Sequence, residues 1–170
     1  MRMRALLLAV LAVALGAGAA SALPGGPTIA GCPAFPADNA WNRRVDRLPV
    51  DPRSAEIVAA IGEGSLHPDF GAGLWEGRPI GIPVTVVGRR TPRSAVSFEY
   101  ATESDRVRYP IPAGVAIEGG GDRHAILVDR DACRLYELYA LRREGGRWRA
   151  GSGAVWSLRS NRLRLAGWTS

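Results

Sequence analysis

The chain has 170 residues, 46% of them apolar, 22% charged and 7% aromatic, which fits one ordinary globular domain and excludes a long coiled coil or a multi-span membrane protein. All 22 basic residues are Arg, set against 16 acids. With 21 Gly and 12 Pro this reads as codon bias as much as selection, so the formal charge of +6 says little about partners.

The first predicted element is a leader. Met1, Arg2, Met3 and Arg4 form a positive start, Ala5 to Ala20 an uncharged apolar run, and Ala20-Ser21-Ala22 a small-x-small cleavage pattern. The run is dominated by Ala and broken by Gly16 and Gly18, so it falls short of the about 20 strongly apolar residues that a span requires. The expectation is a signal peptide over 1–22, export, and no integral membrane segment after cleavage. Losing Arg2 and Arg4 leaves 20 Arg against 16 acids, dispersed in small groups. Export and the lack of any recognised nucleic-acid motif argue against a nucleic-acid partner. Contact with an anionic surface polymer remains compatible with the charge.

Residues 23–36 are rich in Gly and Pro and read as an extended lead-in without helix or regular strand. Cys32 lies there, and its only potential partner is Cys133. An exported even pair predicts one disulfide, and closing a loop of about 100 residues is worth up to ~4.7 kcal/mol in the chain-entropy treatment. The pairing also argues against a cysteine nucleophile.

Residues 37–170 read as a single β-rich domain. It opens with a short helix in which Asp51 is the expected N-cap, Pro52 the first helical residue, and Gly62 the stop. Ala55, Ile57, Val58, Ala59 and Ile61 supply an apolar stripe expected to pack on a sheet. The period then changes to 2. Strands are expected over 80–87, 94–100, 115–118, 124–129, 133–141, 148–150 and 154–158. Seven short strands without intervening helices predict a mainly β fold, an antiparallel sandwich or partly open barrel with one short N-terminal helix. The chain stops two residues after Trp168, an abrupt ending that reads as a C-terminally truncated domain.

The densest polar group is Glu118-Gly119-Gly120-Gly121-Asp122-Arg123-His124, between two predicted strands. A four-residue loop over 119–122 would set Glu118 opposite Arg123 as a neutralised pair. A five-residue loop would instead bring Glu118 to His124. Glu118, Asp122 and His124 are therefore candidate catalytic groups. Glu137 and Asp105 are candidates for a second acid, because glycoside hydrolysis needs two carboxyl groups flanking a cleft. Alternation places Glu137 on one face with Leu135, Tyr139 and Leu141, an apolar setting suited to a general acid.

His67 and Asp69, with Asp122 and His124, form two i, i+2 pairs that could converge on a divalent metal, though no zinc-motif spacing accompanies them. Five Trp offer stacking surfaces for sugar rings. Trp75, in the glycine-rich stretch 71–77, is the one expected to be exposed, with Arg123 as a hydrogen-bonding partner for ligand hydroxyls. Gly151-Ser152-Gly153 lacks the five-residue nucleophile elbow, so a serine triad is disfavoured.

The set Cys32-Pro33-x-Phe35-Pro36-x-x-Asn39-x-Trp41-Asn42, Leu66-His67-Pro68-Asp69-Phe70-Gly71, Tyr109-Pro110-Ile111-Pro112, Glu118-Gly119-Gly120, Asp122-Arg123-His124, Cys133-x-Leu135-Tyr136-Glu137 and Ser160-Asn161-x-x-Arg164-x-x-Gly167-Trp168-Thr169-Ser170 resembles a family of exported bacterial proteins with no activity attached to it. The resemblance covers nearly all of the mature chain and implies kinship without a mechanism. It also implies that family members continue past this point, so that the chain is similar to their N-terminal portion. Leu165 stands where such relatives often carry Pro. The functional expectation is binding or hydrolysis of a cell-wall or environmental glycan. The alternatives are a non-catalytic envelope structural or interaction protein and a metal-dependent hydrolase.

Overall fold

The computed structural model describes residues 26–64, 74, 75, 77–79 and 81–168. Residues 1–25, with the expected signal peptide, and the stretch containing His67 and Asp69 lie outside them. Within 23–36 the lead-in is not wholly irregular: β1 (Thr28–Ile29) and β2 (Cys32–Pro33) form a small antiparallel hairpin. Its turn uses positive φ at Ala30 (51°) and Gly31 (80°), a conformation that periodicity does not reveal.

Helix α1 (Ser54–Ile61) begins two residues later than expected. Asp51 still organises its start, since its Oδ1 accepts the Arg53 N–H at 2.8 Å. Gly62 ends it at φ 81°. The expected packing on a sheet is not found, for none of its residues is buried and Ile57, Val58 and Ile61 are 45%, 60% and 79% exposed. The reason is visible in the sequence: apolar residues occupy every position from Ile57 to Ile61, so they run round the whole circumference and define no single face.

A second small hairpin joins β3 (Leu74–Trp75) to β4 (Arg78–Pro79). The body of the fold follows: β5 (Val84–Val87), β6 (Arg93–Ser94), β7 (Val96–Phe98), a 3₁₀ turn over Ala101–Glu103, β8 (Tyr109–Pro110), β9 (Ala125–Asp129), β10 (Arg134–Leu138), β11 (Arg142–Glu144), β12 (Arg147–Ala150) and β13 (Gly153–Ser157). They make a four-stranded sheet in the order β13-β10-β9-β5, a three-stranded sheet β11-β12-β7 and the pair β6-β8. The architecture is mainly β, in several sheets with no closed barrel, as the period-2 pattern predicts. Two pairings, β5 with β9 and β12 with β7, are parallel.

Three predicted strands are divided, shortened or lost. The 94–100 run serves two different sheets through β6 and β7. The 133–141 run ends at Leu138, because Ala140 adopts φ 51° and redirects the chain into β11. Residues 115–118 belong to no strand, although the Glu118 N–H donates to the His124 carbonyl at 2.8 Å.

Alternation sorts the four-stranded sheet into two faces. Its inner face, with Ala125, Leu127, Tyr136 and Leu138, packs with Tyr109, Ile111, Leu141 and Ala150 into the main core. Val96, Phe98 and Trp148 press on this core from the three-stranded sheet, giving two layers. Asp129 is buried on the inner face and is satisfied there. Oδ2 pairs with Arg93 at 2.9 Å, while Oδ1 accepts the N–H groups of Asp131 and Ala132 and so shapes the β9–β10 turn.

The outer face carries Ile126 and Val128 on β9, Leu135 and Glu137 on β10, and Ala154 and Trp156 on β13, matched residue for residue by the strand register. Its upper end is closed by the N-terminal hairpin. Cys32 and Cys133 form the expected disulfide, with their Cα atoms 5.5 Å apart, and Ile29 and Phe35 pack over Val128, Leu135 and Leu158. The lower end is open.

Candidate functional site

The glycine corner determines what stands at that open end. Its loop has five residues, 119–123, and the additional residue is accommodated by positive φ at Gly120 (77°) and at Arg123 (50°). Glu118 consequently meets His124. Its Oε2 lies 2.6 Å from His124 Nδ1 and also accepts the His124 backbone N–H at 3.2 Å. The loop is fixed to the turn after β10 by three bonds. Ala140 N–H donates to the Asp122 carbonyl, Leu141 N–H to the Arg123 carbonyl, and Arg123 Nε to the Leu141 carbonyl. A carboxylate on Nδ1 orients the imidazole and leaves Nε2 as the nitrogen available to a ligand.

The imidazole lines a cleft of about 480 Å³ with Ile82, Tyr100, Ile126, Glu137, Tyr139 and Ser152. Tyr139, which follows β10 directly opposite His124, sets its ring 5.4 Å from the imidazole. Its position is dictated by Gly151, where a Cβ would come within 2.6 Å of the Tyr139 ring. The Gly151-Ser152-Gly153 glycines thus serve packing, and Ser152 borders the cleft without a nucleophile's turn. Glu137 sits across from Ile126 and is therefore a diagonal neighbour of His124, a spacing of about 7–8 Å between Cα atoms. Its Oε2 accepts the Trp156 indole N–H at 2.8 Å. The cleft accordingly presents one imidazole held by a carboxylate, a second carboxyl and two tyrosine rings, Tyr100 and Tyr139, at 45% and 37% exposure.

The other predicted site residues stand elsewhere. Asp122 is exposed and contributes its carbonyl to the loop anchor, while Arg123 is spent on the Leu141 carbonyl. Neither lines the cleft with His124. Asp105 lies along the edge of β13, where Oδ2 accepts the Val155 N–H at 2.9 Å and pairs with Arg164 Nε at 3.0 Å. Arg164, only 8% exposed, also donates to the Glu103 carbonyl and stacks on Trp168 and Trp156. Asp105 is thus neutralised in an edge-covering cluster and is separate from the cleft. His67 and Asp69 lie outside the described residues, as does the side chain of Trp75. Among the described residues no three His, Cys, Asp or Glu side chains gather as a metal-ligand group.

The structure reveals a second pocket, of about 300 Å³, that residue reading missed. Glu137 lines both this pocket and the cleft, and Phe35, Asn39, Trp41, Leu135, Trp156, Asn161 and Arg162 complete most of its wall. Although Trp75 was the tryptophan expected to be exposed, Trp41 is 90% exposed. It is presented by an amide framework. Asn42 Nδ2 donates to the carbonyls of Ala34, Phe35 and Pro36, Asn39 Oδ1 accepts the Trp41 N–H, Asn39 Nδ2 donates to Asn161 Oδ1, and Asn161 Nδ2 to Asp38. The Cys-Pro-x-Phe-Pro-x-x-Asn-x-Trp-Asn and Ser-Asn elements, 122 residues apart at Asn39 and Asn161, are therefore one structural unit. The signal lay in the sequence as an unusual density of Asn around an unexplained Trp.

Among the described residues no helix is long and apolar enough to cross a membrane. No protein-family model matches the chain, and neither curated proteins nor solved structures provide a match.

Proposed function

We propose that the protein is exported and engages a cell-wall or environmental glycan in the cleft on the outer sheet face, with His124 as general base and Glu137 as general acid. The observation that carries this reading is the 2.6 Å contact between Glu118 and His124 at a cleft that also holds a second carboxyl. Water, deprotonated by Nε2 of His124, attacks the anomeric carbon as the glycosidic C–O bond breaks. The departing oxygen takes a proton from Glu137, and Glu118 stabilises the imidazolium that results. Indole donation to Oε2 of Glu137 leaves Oε1 to carry that proton. Tyr100 and Tyr139 supply apolar ring surface for the carbon faces of a sugar.

Binding of the glycan without hydrolysis is the second reading, and it draws on the commitment of both remaining acids, Glu137 to Trp156 and Asp105 to Arg164. A polysaccharide panel assayed for binding and for reducing-end release separates the two. Catalysis predicts that His124→Ala and Glu137→Gln each lose about 10²–10⁴-fold in turnover while still binding, with Glu118→Gln also impaired. Equal turnover in all variants eliminates the assignment of these residues.

A further inference from the structure

We propose that the pocket beneath Trp41 is a distal subsite for an uncharged pyranose chain, so that the ligand is a strand long enough to run from His124 past Glu137 to the Trp41 indole. The inference rests on the glycan reading of the cleft and adds to it the direction and minimum extent of the ligand.

Three observations carry it. The two depressions are contiguous on the same outer sheet face, because Glu137 lines both. Trp41, the most exposed large apolar side chain among the described residues at 90%, is not a loose surface residue: its backbone N–H is bonded to Asn39 Oδ1, and the Asn42 clamp on three successive carbonyls fixes the segment that bears it. An uncovered indole on a fixed backbone segment offers a stacking surface for a planar apolar partner. The adjoining Asn39 and Asn161 amides each use one N–H and one carbonyl acceptance internally, which leaves each a second donor and a second lone pair.

That combination matches a sugar in particular. Each hydroxyl is both donor and acceptor, and the ring offers a C–H face to the indole. The wall has one carboxyl, Glu137, and one guanidinium, Arg162, so neither sign dominates and an uncharged chain fits better than an acidic polymer. A lipid chain would use the indole but not the paired donor and acceptor capacity of the amides.

Calorimetric titration with chito- and cello-oligosaccharides of increasing length tests the subsite, using the full chain as wild type, Trp41→Ala, Trp41→Phe and His124→Ala. In the wild type affinity rises with chain length. Trp41→Ala abolishes that rise, costing about tenfold on the longest oligomers, equivalent to about 1.4 kcal/mol, and leaves short-oligomer affinity intact. Trp41→Phe retains most of the rise. Because the indole is exposed, unchanged melting temperatures confirm that folding is not the cause. Identical length dependence in wild type and Trp41→Ala overturns the subsite while leaving the cleft reading in place. Wild-type protein that binds neither series, nor any polysaccharide of the panel, sinks both readings together.

Discussion

Tyr109 illustrates how much of this fold rests on single buried polar groups. It is fully buried, its ring meets Phe98 and Tyr136 edge-on at 5.6 Å each, and its hydroxyl donates to the Asp105 carbonyl at 2.7 Å. Burial pushes the phenol well above its ordinary value of 10.0, with the Asp105 charge adding to the rise and Arg164 opposing it. In the folded state the proton is therefore kept where the unfolded chain releases it. The associated stability is fully present below about pH 10 and declines as pH climbs towards the raised folded value. Melting temperatures measured from neutral to strongly alkaline pH should fall beyond that point. Tyr109→Phe should flatten the decline while costing about 1 kcal/mol at neutral pH for the missing hydrogen bond. An alkaline slope identical in the two proteins removes Tyr109 as its origin.

At the scale of elements, backbone conformation at a few positions decides which sheet a strand joins and where a side chain is delivered. Gly153 begins β13 against the core, where a Cβ would lie 2.5 Å from the Tyr109 hydroxyl and 2.7 Å from the Phe98 ring. Both neighbours are held by the main core and cannot withdraw cheaply. Gly153→Ala should cost about 1–3 kcal/mol, a drop of roughly 2–4 °C per kcal/mol in a domain of this size. Ala140→Gly is its opposite. Ala140 holds φ 51°, so removing its Cβ should relieve about 1 kcal/mol and raise the melting temperature, provided the Asp122 carbonyl stays bonded to residue 140. A thermal melt in which both substitutions act in the same direction contradicts this account of the β10–β11 turn.

The same positions mark the limits of what was legible in the chain. Period-2 alternation located most strands of the four-stranded sheet and placed Glu137 with Leu135 and Tyr139, because burial on one face is a strong and local signal. It placed Leu141 on that face too, which fails because Ala140 turns the chain and sends Leu141 into the main core. The glycine corner was ambiguous for a related reason. Its register depends on Arg123 adopting φ 50°, and nothing in an Arg announces a left-handed conformation. Trp41 was hidden differently: the segment that presents it is tied to Asn161 through Asn39, a long-range arrangement to which local periodicity is blind.

For the molecule as a whole, the Cys32–Cys133 bond joins the N-terminal hairpin to the central β9–β10 turn across 101 residues. Among the described residues few other ties hold the hairpin in place. Ile29 and Phe35 pack over the upper sheet face, and the Asn39–Asn161 and Asn161–Asp38 contacts are exposed amide bonds of modest worth. The covalent link should therefore do double service, limiting the unfolded ensemble and holding the Trp41 pocket against β10 and β13. In the chain-entropy treatment a closed loop of this length contributes up to ~4.7 kcal/mol, so reduction should lower the melting temperature by on the order of 10 °C. Cys32→Ala with Cys133→Ala should reproduce the shift without reductant. At a temperature where the reduced protein is still folded, the two pockets should respond unequally. Affinity for long oligosaccharides should fall as the Trp41 segment loosens, whereas short-oligomer binding beside His124, whose Glu118 contact and loop anchors lie at the far end of the sheet, should persist. Equal loss in both ranges, or a melt indifferent to reduction, means that the hairpin is held by its packing and that the disulfide does not organise the outer face.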